Sequence, residues 1–189
     1  MNMTPTRRTA LPLALALLAA IAACAPAATP AASSHAAITD REIKALSADE
    51  IAGYRAGAGM GFALAAELNG FPGPMHVLEL AAELELSAEQ RTAVQASRAR
   101  MQEDASTVGA ALVERERQLD RLFASANATE PEVRRLTGEI AEQRGRIRHA
   151  HLRAHLETTE ILTRHQIDRY MQLRGYGTDA HTGHHDHHR

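Results

Sequence analysis

The amino-acid sequence predicts an all-α fold, an elongated antiparallel helical hairpin with short flanking helices. Three observations carry that prediction. Val94, Met101, Val108, Leu112, Leu119 and Leu122 recur at spacings of seven, seven, four, seven and three, which puts them on one stripe of a helix. Val133, Leu136, Ile140 and Ile147 continue such a stripe at three, four and seven. Between the two runs Ser125, Ala126, Asn127 and Ala128 interrupt the periodicity, and no run of the chain alternates as a strand would. A helix over residues 88–124 would be about 55 Å long at 1.5 Å per residue, well beyond the ~30 Å of a small domain, so the fold must be elongated. Each long helix of a hairpin buries only one stripe. The remaining burial is expected from the short helices and from a second copy of the chain.

The elements follow in order. Arg7 and Arg8 precede an apolar run over residues 10–23, too short to span a bilayer, which is the layout of a secretory signal. Ile21, Ala22, Ala23 and Cys24 resemble the lipobox of bacterial lipoproteins, in which cleavage before the Cys leaves it to carry lipid. Cys24 is the only cysteine, so it cannot form an internal disulfide; it is either modified or an odd reactive thiol. The division expected is a lipoprotein signal peptide over 1–23, a lipidated flexible tether over 24–46, a helical domain over 47–176 and a His-rich tail over 177–189. Residues 25–37 are dominated by Ala, Pro, Ser and Thr, with Pro26 and Pro30 opposing helix. A first helical region is predicted over 47–68, interrupted in character by Gly53, Gly57, Gly59 and Gly61 and ended by Asn69 and Gly70. Phe71, Pro72, Gly73 and Pro74 make a rigid turn, and a short helix is expected over 75–86. Thr129, Glu130, Pro131 and Glu132 restart the second long helix with a capping-box pattern and Pro in its first turn. Gly109, Gly138 and Gly145 interrupt helix interiors and mark bends or close crossings. Past Ile147 the pattern changes, because Leu152 and Leu156 lie on the opposite side, and cover on two sides is expected there.

A short motif occurs twice. Leu86, Ser87 and Gln90 match Leu162, Thr163 and Gln166, both as Leu-[Ser/Thr]-x-x-Gln. The hydroxyl residue is suited to the N-cap, the Gln at N3 reaches back to the N-cap N–H, and the Leu packs as a hydrophobic staple. Two such motifs flanking a long charged helical stretch resemble the Spy/CpxP family of periplasmic chaperones and its heavy-metal-sensor relatives, over roughly residues 46–176. The resemblance implies a cradle-like homodimer that binds unfolded envelope proteins without ATP and requires no cofactor. Arg144, Arg146, Arg148 and Arg153 would supply the cationic part of a client surface. The metal-sensor branch implies instead a heavy-metal-binding sensor or resistance protein using His ligands. Ala25 after the Cys implies sorting to the periplasmic side of the outer membrane, the soluble periplasm being the runner-up.

Composition narrows the function classes. Removing Arg7 and Arg8 with the signal from the 21 basic residues leaves 19 against 23 acidic ones, a formal charge of −4 with His neutral. That balance, with 3% aromatic residues and no Trp, argues against nucleic-acid partners. No Gly-rich loop follows a strand and no nucleophilic Cys remains after lipidation, so no enzyme is expected. The run Glu114, Arg115, Glu116 and Arg117 reads as a solvated face of i,i+4 pairs. His151 and His155 stand i,i+4 on one helical face, a spacing that lets two imidazoles chelate one divalent ion. His149 faces elsewhere. A third ligand would have to come from Glu, from Met75 or His76, or from another chain, and the bland reading is two polar residues at the edge of an Arg-rich stripe. In the tail, His181, His184, His185, His187 and His188 form an imidazole cluster able to take Zn, Ni or Cu.

Overall fold

The computed structural model describes residues 38–176. The signal segment, Cys24, residues 24–37 of the tether and the tail histidines His181, His184, His185, His187 and His188 lie outside the described residues. Among the described residues the helices are α1 (Ala48–Ala56), α2 (Leu64–Glu67), α3 (Pro74–Glu79), α4 (Ala88–Ala124), α5 (Glu130–Ile161) and α6 (Arg164–Leu173). No strand forms among them, only an isolated bridge between Ile43 and Leu46, and no helix is long and apolar enough to cross a membrane. The fold is therefore all-α, with α4 and α5 as the arms of the hairpin.

Local chemistry sets the helix starts. The Ser87 hydroxyl accepts from the Gln90 N–H at 3.1 Å, and Gln90 Oε1 accepts from the Ser87 N–H at 3.1 Å. Thr163 and Gln166 repeat this at α6, with 3.3 Å and 2.9 Å. Each capping box satisfies two N–H groups that a helix start otherwise leaves open. Ser47 and Glu50 do the same for α1. The box expected at Thr129 does not form: its hydroxyl donates to Glu132 Oε2 at 2.6 Å and caps no backbone N–H. There Pro131 in the first turn already removes one open donor.

The two motifs also meet in space. Gln90 Nε2 donates to Gln166 Oε1 at 2.9 Å and to the Ile161 carbonyl at 3.0 Å, while Gln166 Nε2 donates to Gln90 Oε1 at 3.0 Å and to the Leu84 carbonyl at 3.1 Å. One amide from each motif thus closes its own helix start and pairs with the other.

Two apolar cores lie along the hairpin. In the first, Ile43, Leu46, Ile51 and Tyr54 pack on Val108, Leu112 and Val113 of α4 and on Ile140 and Ile147 of α5. In the second, at the base, Val77, Leu84 and Val94 meet Leu162 and Tyr170. Fully burying one such aliphatic side chain stabilises by roughly 1.5–3 kcal/mol, and α1 and α3 therefore supply burial that the hairpin stripes alone lack.

Several expectations are corrected. The 47–68 region is two helices, because Gly57 takes a left-handed conformation (φ 63°) and caps α1. The 75–86 helix stops at Glu79 and turns through Glu85, itself at φ 51°. Leu156 is 52% exposed, so the expected cover on the side opposite Ile147 is not found there; the buried positions Ala150, His151, Ala154 and His155 continue the Ile147 face of α5. Glu116 is buried, not solvated, and its Oε1 meets Arg144 Nη2 at 3.2 Å. Arg115 and Arg117 of the same run bind Glu139 and Glu42.

Gly109 is a close crossing: a Cβ there would stand 2.0 Å from the Tyr54 carbonyl oxygen of α1. Gly138 and Gly145 face open space. Gly109→Ala should therefore destabilise the protein by about 1–3 kcal/mol through forced overpacking. Gly138→Ala and Gly145→Ala should stabilise it by roughly 0.5–1 kcal/mol through helix propensity. Urea unfolding of the three variants checks this, and a Gly109→Ala midpoint equal to that of the unsubstituted protein would contradict the crossing.

Candidate functional site

Between the two cores the seam of the hairpin becomes polar. On α4 it passes Arg98, Met101 and Gln102, and on α5 His151 and His155; the segment from α1 through α3 arches over them and leaves a cleft of about 480 Å³.

His155, 8% exposed, presents Nδ1 to the Phe71 carbonyl at 2.7 Å. A carbonyl only accepts, so Nδ1 carries the proton and the Nε2 lone pair is left free. This is the arrangement by which a backbone carbonyl orients a ligand imidazole. The turn can come this near only because position 73 is glycine: a Cβ there would lie 3.0 Å from His155 Nε2 and 2.9 Å from Cε1.

His151, 4% exposed, lies one turn earlier on the same face, with its ring stacked on Phe62 at a centroid distance of 6.0 Å and 11° between planes. Its Nε2 is buried and has no hydrogen-bond partner. Burial lowers the pKa of this imidazole, the neighbouring charge of His155 lowers it further, and hydrogen bonding to the Ala58 backbone pulls weakly the other way. A neutral imidazole with an unused nitrogen is able to take up a proton or a metal ion. Leaving a buried polar atom unpaired otherwise costs about 1–3 kcal/mol.

Glu67 forms the floor. It is 6% exposed, its Oε1 accepts from the Tyr170 hydroxyl at 2.5 Å, and its Oε2 accepts from the Gly73 N–H at 3.1 Å. Arg174 Nε stands 3.6 Å from Oε1, and His155 Nδ1 3.7 Å from Oε2. Burial first, then the bond to Glu67, pushes the Tyr170 hydroxyl far above the ordinary phenol range, so it acts solely as a donor to the carboxylate.

His151 and His155 lie on one face of α5, both are buried, and both line the cleft. Met75 and His76, weighed as sources of a third ligand, line the same cleft, although His76 Nδ1 is engaged by Glu79 Oε2 at 2.8 Å. Among the described residues no three His, Cys, Asp or Glu side chains gather as a metal set. His149 lines a separate polar groove with Glu103, Asp104, Glu142 and Arg146. Of the four arginines expected on a client surface, Arg144 is paired with Glu116 and Arg153 with Asp104 at 2.6 Å, while Arg146 and Arg148 are exposed. Sequence reading missed Glu67, Tyr170, Phe62 and Met60 as neighbours of the site. Glu67 carries no local signal at all, whereas Met60, held between Gly59 and Gly61, is an oddity a closer reading could have marked.

Compared with family models, curated proteins and solved structures, the chain matches none.

The lowered His151 pKa gives a pH signature. The unfolded chain takes up a proton on this imidazole near pH 6.5, before the folded protein does, so stability falls as the pH drops below that value and levels off below the folded-state pKa. Above pH 7 this group contributes no slope. Denaturant unfolding between pH 7.5 and 5 should show a loss of at most ~1.4 kcal/mol per pH unit from this one proton, and His151→Gln should remove that component. An unchanged pH profile in the variant would mean that the ring is accessible to protons when folded.

Proposed function

We propose that this chain is a metal-binding protein of the bacterial cell envelope, lipid-anchored through Cys24 and holding one transition-metal ion between His151 and His155. The observation that carries the reading is the unpartnered, buried Nε2 of His151 inside the cleft. The free Nε2 of His155 supports it, since both lone pairs arise from one face of α5. Neutral imidazoles are borderline ligands for Zn, Ni and Cu ions. The tail histidines would add a second, exchangeable reservoir. The Leu-[Ser/Thr]-x-x-Gln pair resembles the motif that the family's chaperone and heavy-metal branches share.

The test is calorimetric titration with zinc, nickel and silver(I) ions. The mature protein is used with Cys24→Ser and with Ser at His181, His184, His185, His187 and His188, so that neither thiol nor tail competes. One equivalent of at least one ion should bind at pH 7.5 and be weakened by proton competition at pH 5.5. Combined replacement His151→Gln and His155→Gln should lower the affinity by ten-fold or more. Absence of stoichiometric binding by every ion would end the metal reading.

A second reading, an ATP-independent chaperone for unfolded envelope proteins, is favoured by a different observation. Leu64 (55% exposed), Leu68 (54%), Met75 (45%) and Met60 (41%) present apolar surface on the segment that arches over the cleft. Grouped exposed apolar side chains are a recognised mark of interaction surfaces. Suppression of aggregation of a denatured client should then be lost on Leu64→Asp with Leu68→Asp, and failure of the unsubstituted protein to suppress aggregation would exclude this reading.

A further inference from the structure

We infer that the ion this cleft selects is a soft monovalent cation, copper(I) or silver(I), held by thioether sulfur from Met60, Met75 and Met101 together with the imidazoles of His151 and His155. This rests on the metal-binding reading above and narrows it by ligand chemistry.

Residues 38–176 contain four methionines, and three of them line this one cleft. They arrive from separate parts of the chain: Met60 from the loop between α1 and α2, Met75 from the first turn of α3, and Met101 from α4. Methionine is ordinarily a pliable filler of irregular gaps in cores. That role suits a buried side chain; Met60 and Met75 are 41% and 45% exposed, although the Met60 sulfur also lies against Gly53 of α1, where a Cβ would stand 2.8 Å from it. Met60 also adopts φ 42°, a conformation unfavourable for a residue with a Cβ. The fourth methionine, Met171, sits against the base core in the ordinary manner.

One carboxylate, Glu67, stands in the wall, its two oxygens held by hydrogen bonds from Tyr170 and Gly73, so thioethers outnumber carboxylates around the two imidazoles. Zinc in protein sites is held by thiolate, imidazole and carboxylate, usually four ligands or three with water. No three His, Cys, Asp or Glu side chains gather among the described residues. The two imidazoles accept borderline cations as well as copper(I), whereas thioethers are soft donors, so it is the three methionines that select the monovalent ion.

The experiment uses the mature protein with Cys24→Ser and with Ser at the five tail histidines, labelled with carbon-13 at the methionine methyls, and silver(I) as an air-stable probe. One equivalent of silver should shift the methyl resonances of Met60, Met75 and Met101 and leave Met171 in place. Combined Met60→Leu, Met75→Leu and Met101→Leu should weaken silver binding at least ten-fold while leaving any zinc binding by the imidazoles unchanged. Binding of zinc or nickel at the histidines with no silver-induced movement of these methyls would overturn the soft-ion assignment and leave the metal reading standing. Absence of binding by all three ions would overturn both. The methyl shifts are read on a protein whose methionines and cleft histidines are intact, so the outcome does not depend on the triple variant folding.

Discussion

The reciprocal amide pair between Gln90 and Gln166 is the constraint from which the rest of the described structure follows. Each amide caps its own helix through Oε1 and binds the other motif and a distant carbonyl through Nε2. The start of α6 is thereby fixed against the start of α4, and the base core closes around Val94, Leu162 and Tyr170. Once α6 is placed, the Tyr170 hydroxyl reaches Glu67, Glu67 receives the Gly73 N–H, and the turn beside it sets the Phe71 carbonyl on His155. A motif that in isolation marks only a helix start thus orients an imidazole two elements away. Hydrogen-bond chains of this kind are demanding, because each buried group left unsatisfied costs more than its satisfied bond contributes.

The second organising fact is that apolar packing is interrupted rather than continuous along the hairpin. Above the cleft the seam is Val108, Leu112, Ile140 and Ile147; below it are Val94 and Leu162. Between them His151, His155 and Glu67 occupy positions that aliphatic side chains would fill in a helical pair built for stability alone. The covering segment turns Met60, Leu64, Leu68 and Met75 partly to solvent there. Charged pairs across the arms, such as Arg115 with Glu139 and Arg100 with Glu157, flank this region. Partly exposed pairs contribute at most ~1 kcal/mol each, so they align the helices more than they hold them.

The hairpin, its break near residue 125 and the capping roles of Ser87, Thr163 and Ser47 are legible in the sequence because they depend on spacing and on side chains that act within one turn. The same local rule fails at Thr129, where Glu132 takes the hydroxyl's hydrogen bond and Pro131 relieves the need for a cap. It fails more widely for burial. Periodicity places Leu156 and Glu116 on faces but does not say which face a neighbour will cover; the arch from α1 to α3 covers His151 and His155 and leaves Leu156 in solvent.

By itself, then, the amino-acid sequence determined the two long helices, the starts of α1, α4 and α6, and the i,i+4 spacing of His151 and His155, since each is a property of residues within a few turns of one another. Tertiary structure alone decided that those two rings are buried and share a cleft with Met60, Met75 and Met101. It also decided that Glu67 is already committed to Tyr170, and that Gln90 finds Gln166. Those contacts join positions as many as 103 residues apart, and their energies depend on what surrounds a group after folding, which no local pattern encodes.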